Sequence, residues 1–246
     1  MSKRIGDTFL EGTKYRNLDP SDQKKGEAQP PLHSLLRDGK RIPLPSPANS
    51  NLGLMGLREA IEVRRSLRNY ADVPLALDEV SFLLWCSQGV KPESTGKVTF
   101  RTVPSAGARH AFETVLLVNR VEGLESGLYQ YNAADHGLIQ WESPADITEQ
   151  VTAACLNQPI IRNSAATFLW TAERYRMAWR YGERGLRYLF LDAGHVCQNL
   201  HLAAESIGAG VCAVGAFTDD QLNQVLELDG VDRFVVYLAG VGKRES

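Results

Sequence analysis

Three arginines and a serine crowd into five positions of the run Arg64-Arg65-Ser66-Leu67-Arg68. A guanidinium group donates two parallel, charge-assisted hydrogen bonds, so it is well suited to gripping a phosphate. The serine adds a hydroxyl that can both donate and accept. The run therefore indicates an anion grip for a phosphorylated cofactor. The alternative is a solvated helix end, where cations face the negative end of the helix dipole.

Other residues along the chain could join such a grip. No G-x-G-x-x-G fingerprint follows a strand and no Walker A sequence is present, so a bound phosphate must be held by side chains. Lys243 and Arg244 lie just beyond a predicted strand over residues 233–241. The turn Pro104-Ser105-Ala106-Gly107 consists of small residues that let the backbone come close to a flat ligand. Such turns are also ordinary loop chemistry.

Composition excludes several classes of function. Among 246 residues, 27 Lys and Arg balance 29 Asp and Glu, whereas nucleic-acid binding needs a clustered excess of cations. No apolar run is long enough to span a membrane, and the N-terminus lacks the apolar core of a secretory signal. The cysteines are scattered without C-x-x-C spacing, at Cys86, Cys155, Cys197 and Cys212. We expect buried free thiols, no metal site and a cytoplasmic location.

Periodicity predicts an alternation of helices and strands after residue 55. Helices are expected over 56–63, 78–88, 147–155, 187–207 and 218–227, the last opened by a capping box. Strands are expected over 113–119, 128–131, 138–141, 165–171, 211–217 and 233–241. On the helix 187–207, His195 and His201 are about 600° apart and face different sides. We interpret both as structural histidines with satisfied hydrogen bonds.

Residues 1–54 differ from the remainder and form a separate region, followed by one domain over residues 55–246. The region is polar and then rich in proline, with a short helix expected near Leu32 to Arg37. Since prolines lack a donor, we expect an extended arm that lies on the surface and does not join a sheet. Leu10, Tyr15 and Leu18 are candidate anchors, and a loosely ordered arm is the alternative.

An ordered set of motifs resembles the nitroreductase superfamily of flavoproteins, and within it the SagB-type dehydrogenase branch. The set covers residues 55–246 and extends weakly to Glu11-Gly-Thr-Lys-Tyr15. Its members are Arg64-Arg65-Ser66-x-Arg68-x-Tyr70, Pro104-Ser-Ala-Gly-Ala108, Tyr181-Gly-Glu-Arg-Gly185, Arg187-Tyr188, Asp192-Ala-Gly-His195, Gln198-Asn-Leu200, Gly208-Ala-Gly210 and Ala239-Gly-Val-Gly242.

The resemblance implies an α+β nitroreductase-like fold, with a central, mostly antiparallel sheet surrounded by helices and FMN at a homodimer interface. It implies that Arg64, Ser66 and Arg68 hold the phosphate, ribityl chain and pyrimidine edge, and that Gly215 directs a backbone N–H toward the flavin N5. The turn 104–107 would line the flavin from the partner subunit. The implied cofactor-binding set is Arg64, Arg65, Ser66, Arg68, Pro104, Ser105, Ala106, Gly107, Val214, Gly215, Lys243 and Arg244.

One pair departs from the azole-forming enzymes of that branch, which resemble one another in a Lys-Tyr pair. Here the pair is Arg180-Tyr181, and arginine cannot lose a proton to act as a base. Arg180 is either a substrate-binding cation or a solvated helix residue, and Tyr181 is the second catalytic candidate. The resemblance implies an FMN-dependent oxidoreductase acting on a small molecule or a modified peptide. The alternatives are a generalist NAD(P)H-dependent reductase of quinones or nitroaromatics, and a flavin-binding module without turnover.

Overall fold

The computed structural model describes residues 4–33, 35–49 and 51–245. In this part of the chain the strands are β1 (Arg41–Pro43), β2 (Phe112–Val118), β3 (Gly127–Asn132), β4 (Gly137–Trp141), β5 (Ala166–Glu173), β6 (Ala209–Val214) and β7 (Arg233–Lys243). They form one sheet in the order β1-β4-β3-β2-β5-β7-β6, and all neighbours are antiparallel. The predicted fold class is confirmed.

Nine helices accompany the sheet in the described residues. They are α1 (Ile5–Gly12), α2 (Asp22–Lys25), α3 (Leu57–Val63), α4 (Leu77–Gln88), α5 (Ile147–Ala154), α6 (Pro159–Asn163), α7 (Arg174–Tyr181), α8 (Gly185–Glu205) and α9 (Asp219–Val225). The predicted helices correspond to α3, α4, α5, α8 and α9. The helix α9 begins after Thr218 as expected, but the Thr218 side chain makes no capping hydrogen bond.

Both faces of the sheet are covered, which explains the unbroken apolar sequence of its middle strands. Residues 166–172 of β5 are all buried, and a strand buried on both sides needs no polar alternation. Leu116 of β2 lies opposite Phe168 of β5, and neither is exposed. The helices α4, α7 and α8 pack in the core on one face, while α5, α6 and α9 contribute to the other.

The helix α8 is the central helix of the fold. Its buried residues include Leu189, Val196 and Leu200, and they recur at the three- and four-residue steps of an amphipathic helix. Gly208 follows it with φ +69°, the left-handed conformation that glycine commonly adopts just beyond a helix. None of the helices in the described ranges has the length and apolarity needed to cross a membrane. All four cysteines are free, with Cys86 half-buried and the others buried.

The N-terminal arm joins the sheet, so the prediction that it would not was wrong. Residues 41–43 pair with β4 at the edge of the sheet, with Pro43 opposite Gly137. An edge strand has one side free of partners, and a proline is tolerated there because its missing donor is not needed. The helix expected near Leu32 to Arg37 is also wrong for the described residues 32–33 and 35–37, which are not helical; Ser34 lies outside the described residues.

Candidate active site

The arginine run forms a short extra edge beside β6. The backbone N–H of Arg64, directly after α3, donates to the carbonyl of Ala60 at 3.1 Å. Ser66 then forms a parallel bridge with Val211, and the N–H of Leu67 donates to the Val211 carbonyl at 2.9 Å. The chain therefore leaves the helix and runs in the same direction as β6.

The position of Leu67 indicates which way the polar side chains of the run face. Leu67 turns inward, and a Cβ on Gly210 would lie 2.5 Å from Leu67 Cδ2, so the glycine makes room for this packing. Because successive side chains of an extended segment alternate in direction, Arg64, Ser66 and Arg68 share the opposite side over about 13 Å. The predicted grip is therefore a linear track of donors alongside β6.

The cations of this track carry no neutralising partner in the described residues. The ion pairs there leave Arg64, Arg65 and Arg68 unpaired. Arg65 and Arg68 are exposed, and Arg64 is half-buried. A set of unpaired guanidinium groups held on one strand can accept an anion without first breaking a salt bridge.

His201 lies on α8 close to Arg64. Burial, with a smaller effect of the Arg64 charge, lowers the pKa of His201 to about 4, so its imidazole is neutral. Its Nδ1 atom is buried and makes no hydrogen bond within the described residues. The prediction of a satisfied structural histidine was therefore wrong for His201. His195 is exposed on another side of α8.

Lys243 and Arg244 are held by two buried carboxylates. Lys243 is the last residue of β7, not beyond it as predicted, and its Nζ pairs with Glu79 and donates to the Ile207 carbonyl at 3.3 Å. Arg244 pairs with Glu205 and donates from Nε to the Ala209 carbonyl at 3.3 Å. Each cation keeps some of its N–H donors free of these contacts.

The turn Pro104-Ser105-Ala106-Gly107 is held by hydrogen bonds to Asp192 of α8 and to the backbone of His110. The N–H of Ala106 donates to Asp192 Oδ1 of α8 at 3.2 Å, and Ser105 Oγ accepts from the N–H of His110 at 2.9 Å. Burial raises the pKa of Asp192, and hydrogen bonds from Ser105 and Ala106 partly offset that rise. Gly107 has φ +58°, which favours glycine.

Arg180 and Tyr181 lie directly against this turn. A Cβ on Gly107 would lie 2.4 Å from Tyr181 Oη and 2.8 Å from Arg180 Nε. The Tyr181 ring in turn meets the Tyr188 ring edge-on, with 4.7 Å between centroids and an interplanar angle of 70°. The structure therefore brings the two predicted catalytic residues to the predicted flavin-lining turn.

Gly215 begins the segment after β6 and offers an open backbone. Val214 is buried in the strand, whereas Gly215 is exposed. A Cβ built on Gly215 would meet Tyr237 Cε2 at 3.7 Å, which is ordinary contact. Packing within the chain therefore does not require a glycine at this position. An exposed backbone without a side chain suits contact with a flat ligand.

The predicted residues other than Val214 and Gly215, which lie at the end of β6, form two groups within one chain. Arg64 to Arg68, Lys243 and Arg244 lie around the end of α8 at Glu205, whereas the turn 104–107 with Arg180 and Tyr181 lies around Asp192. Asp192 and Glu205 are thirteen residues apart on α8, so about 20 Å separates them along the axis. Sequence reasoning missed the roles of Glu79, Glu205 and His201 as neighbours of these groups, and no spacing signal marks them.

A sequence model described as the Nitroreductase family matches residues 61–243. The chain belongs to the nitroreductase family. Members of this family are in general flavin-dependent oxidoreductases, and the fold described above agrees with that assignment.

Individual relatives of this nitroreductase-family chain differ in length. A Methanocaldococcus jannaschii protein named as a nitroreductase, MJ1384, is 34% identical over 188 residues, which are 76% of this chain and 91% of that protein. The trifolitoxin-processing protein TfxB of Rhizobium leguminosarum bv. trifolii is 30% identical over 163 residues, 63% of this chain and 44% of TfxB. A crystal structure from Anabaena variabilis, also named as a nitroreductase, has 33% identity and a TM-score of 0.64, covering 77% of this chain and 38% of that one.

Proposed function

We propose that the protein is an FMN-dependent oxidoreductase with the flavin lying along the arginine track and β6. The proposal is supported by the track itself: Ser66 bridges to Val211, and no ion pair of the described residues involves Arg64 or Arg68. The alternation of side chains in an extended segment then places Arg64, Ser66 and Arg68 on one side. FMN supplies the hydride chemistry when bound, and the protein binds and orients it.

The residues fit the separate parts of FMN. Arg64 and the free N–H donors of Lys243 and Arg244 would take the phosphate, since all three approach the end of α8 at Glu205. Ser66 and Arg68 would contact the polar ribityl chain and the pyrimidine edge. Gly215, next along the same direction, would present its N–H to the ring system, because the residue is exposed and has no side chain of its own.

We infer that a homodimer completes the site. An antiparallel pair of α8 helices centred near Gln198 would bring Asp192 of one subunit level with Glu205 of the other, because these positions are equidistant from the centre. The face of α8 through Leu191, His195 and Gln198 is exposed. The turn 104–107 of one subunit would then line the flavin held by its partner, which accounts for the separation of the two groups.

Apolar surface beside α8 supports the same dimer. Leu57 and Ile61 of α3 are 67% and 55% exposed, and Phe190 and Leu191 of α8 are 56% and 59% exposed. Between α3, α4 and α8 lies an open cavity of about 440 Å³. An obligate interface is typically larger than about 2,000 Å² and more apolar than the remaining surface. Sedimentation of FMN-loaded protein should give a dimer, and a flavin-loaded monomer would overturn this arrangement.

Two substrate classes have support. The likeness to TfxB, a trifolitoxin-processing protein, favours a modified peptide, and the resemblance to the SagB-type branch implies that azoline rings of such a peptide would be dehydrogenated. Arginine at position 180 favours the second class, quinones or nitroaromatics reduced at the expense of NAD(P)H, because reduction of such acceptors needs an accessible flavin and no protein base. Gly215 is exposed in agreement with such access. We therefore infer ready quinone reduction and slow azoline oxidation.

Turnover assays test the proposed function. Purified protein should release FMN on denaturation and should reduce a quinone with NADPH in steady state. Protein that binds FMN but turns over neither a quinone with NAD(P)H nor an azoline peptide would instead be a flavin-binding module. Protein that takes up no FMN would refute the proposal.

A further inference from the structure

The N-terminal arm is held by three polar side chains of the body that precede or open α8. Arg184 donates from Nη1 to the carbonyl of Thr13 at 2.9 Å, and Arg187 donates to Thr13 Oγ1 at 2.6 Å and to the Leu10 carbonyl at 2.7 Å. Tyr15 Oη lies 2.8 Å from Tyr188 Oη. The arm segment Leu10 to Tyr15 is therefore docked on one small region of the body.

The apolar side chains of this segment do not account for its docking. Leu10 is 52% exposed and Tyr15 is 69% exposed. Leu10 and Tyr15 do anchor the arm, as predicted, but through a main-chain carbonyl and a phenol. Hydrogen bonds to guanidinium groups are stronger than neutral ones, and they fix direction as well as position. The segment is therefore held in position mainly by directed hydrogen bonds and not by buried apolar area.

Arg184 joins the arm to a tyrosine of the body. Its guanidinium carbon lies 4.2 Å from the centroid of the Tyr15 ring, and its Nε donates to Tyr188 Oη at 2.9 Å. The Tyr188 phenol thus has two neighbours, Arg184 as donor and Tyr15 as hydrogen-bond partner. These two contacts restrict how the Tyr188 ring can rotate.

Tyr188 in turn contacts Tyr181 of the candidate catalytic pair, so a fixed Tyr188 ring limits where Tyr181 can lie. Its ring packs edge-on against Tyr181 at 4.7 Å between centroids. Tyr181 Oη in turn occupies the space next to Gly107. Edge-to-face aromatic pairs contribute about 0.5–1.5 kcal/mol beyond their buried area, enough to favour one ring orientation. A continuous set of contacts runs from the arm through Tyr188 to the turn 104–107.

We propose that Tyr15 is a positioning residue of the active site, which holds Tyr188 and thereby fixes Tyr181 against Gly107 on the substrate side of the flavin. This inference rests on the proposed function, because that function places the turn 104–107 beside the flavin. Tyr15 itself contacts neither flavin nor substrate in this account. Through Tyr15 the arm therefore has a role in positioning Tyr181, which the sequence alone does not reveal.

The first test follows Tyr181 directly, in the full-length protein labelled with 3-fluorotyrosine. The ¹⁹F resonance of Tyr181 is assigned with Tyr181→Phe, and it is compared in Tyr15→Phe and Tyr15→Ala. Both variants should move the Tyr181 resonance toward its position in denatured protein, Tyr15→Ala further because it also removes the ring beside Arg184. Tyr15 is mostly exposed, so both variants should fold.

Tyr175→Phe is the matched control. The Tyr175 phenol also joins the arm to the body, donating to Asp22 Oδ2 at 3.2 Å, but no hydrogen bond or ring contact joins Tyr175 to Tyr188 in the described residues. An unchanged Tyr181 resonance in Tyr15→Ala would overturn the proposal. Equal displacement in Tyr15→Phe and Tyr175→Phe would also overturn it, because it would indicate general loosening of the arm.

A kinetic test separates this inference from the proposed function. In FMN-loaded Tyr15→Phe, the KM for menadione should rise by about threefold or more while kcat and FMN affinity stay within about twofold, the pattern of a lost binding geometry. An unchanged KM would contradict the inference and leave the flavin chemistry standing. Failure to bind FMN in the wild type would instead refute the proposed function, and the ¹⁹F comparison would remain decisive for Tyr15.

Discussion

Glu205 and Arg244 form an ion pair in which the carboxylate is almost fully buried, with 2% of the Glu205 side chain exposed. The other carboxylate oxygen of Glu205 accepts the backbone N–H of Arg65 at 3.4 Å. One side chain of α8 therefore contacts both the arginine track and the C-terminal cation. It also places a negative charge where the proposed phosphate must approach.

Removing that charge should strengthen FMN binding. Glu205→Gln keeps an oxygen for Arg244 but removes the repulsion between carboxylate and phosphate, so FMN affinity should rise about tenfold, or about 1.4 kcal/mol. Riboflavin, which has no phosphate, should bind Glu205→Gln and wild type equally well. Titration calorimetry with both ligands measures this difference.

Glu173→Gln serves as the control for that comparison, because Glu173 pairs with Arg233 away from the candidate site. It should leave the affinity for both ligands unchanged. Weaker FMN binding in Glu205→Gln would mean that Glu205 positions the cations more than it repels the phosphate.

Gly107→Ala should disturb the catalytic pair. The substitution strains a residue at φ +58° and forces Tyr181 and Arg180 to move, at a cost of about 1–3 kcal/mol in unfolding free energy. Gly123→Ala has the same kind of strain at φ +78° but nothing within 4 Å of the added Cβ. The two variants should differ from each other in their urea denaturation midpoint. Only Gly107→Ala should raise the KM for menadione. Equal effects would show that the contact with Tyr181 is unimportant.

Stability should fall as the pH drops below neutral. Burial, and then the charges of Arg101 and Arg109, lower the pKa of His110 to about 3, whereas an unfolded histidine has a pKa of about 6.5. Between these values the unfolded chain binds a proton that the folded chain does not. His110 alone should therefore cost about 2 kcal/mol of unfolding free energy at pH 5 relative to neutral pH.

His110→Asn is the variant that isolates this effect, because asparagine tolerates the φ of +42° at this position. The difference between the urea midpoints at pH 7.5 and pH 5 should be smaller in His110→Asn than in wild type. Parallel losses in the two proteins would assign the acid sensitivity to other groups, of which His201 is the next.

Position 180 should decide between the two substrate classes. General-base assistance is typically worth about 10²–10⁴-fold, and azoline dehydrogenation needs a proton removed as hydride leaves. Arg180→Lys should therefore accelerate single-turnover flavin reduction by an azoline peptide and leave quinone reduction unchanged. A wild type that already reduces its flavin rapidly with the peptide, with no gain in Arg180→Lys, would identify an azole-forming dehydrogenase.

The sequence predicted those elements whose apolar pattern is set by one buried face. The helix α8, the hairpin β3–β4 and the middle strands lie within a few residues of their expected positions. The apolar periodicity of the sequence marks the side chains that form their buried face. The arm was the main error. Its helices α1 and α2 are only eight and four residues long and bury no residues, and β1 depends on pairing with a strand almost a hundred residues away.

The residues of the candidate site likewise divide into those that the sequence predicted and those that it did not. Arg64, Ser66 and Arg68 were identifiable because three arginines and a serine lie within five positions and the run resembles a motif of the nitroreductase superfamily. Glu205 and Tyr15 were not, because each acts through a partner distant in sequence, Arg244 and Tyr188 respectively. Contacts of this kind depend on how α8 crosses the sheet and how the arm folds back, and no local spacing encodes them.

An FMN titration shows whether the arginine track binds the cofactor. FMN binding is measured for wild type, Arg64→Ala and Arg58→Ala. Arg58 lies in the first turn of α3, the helix that Arg64 follows, but its side chain is 91% exposed and paired with Glu62. Loss of a charge-assisted phosphate contact should weaken FMN binding by about 1.5–3 kcal/mol, roughly ten- to a hundredfold, in Arg64→Ala. Arg58→Ala should bind like wild type. Equal FMN affinity in all three proteins, or no FMN binding by wild type, would contradict the account.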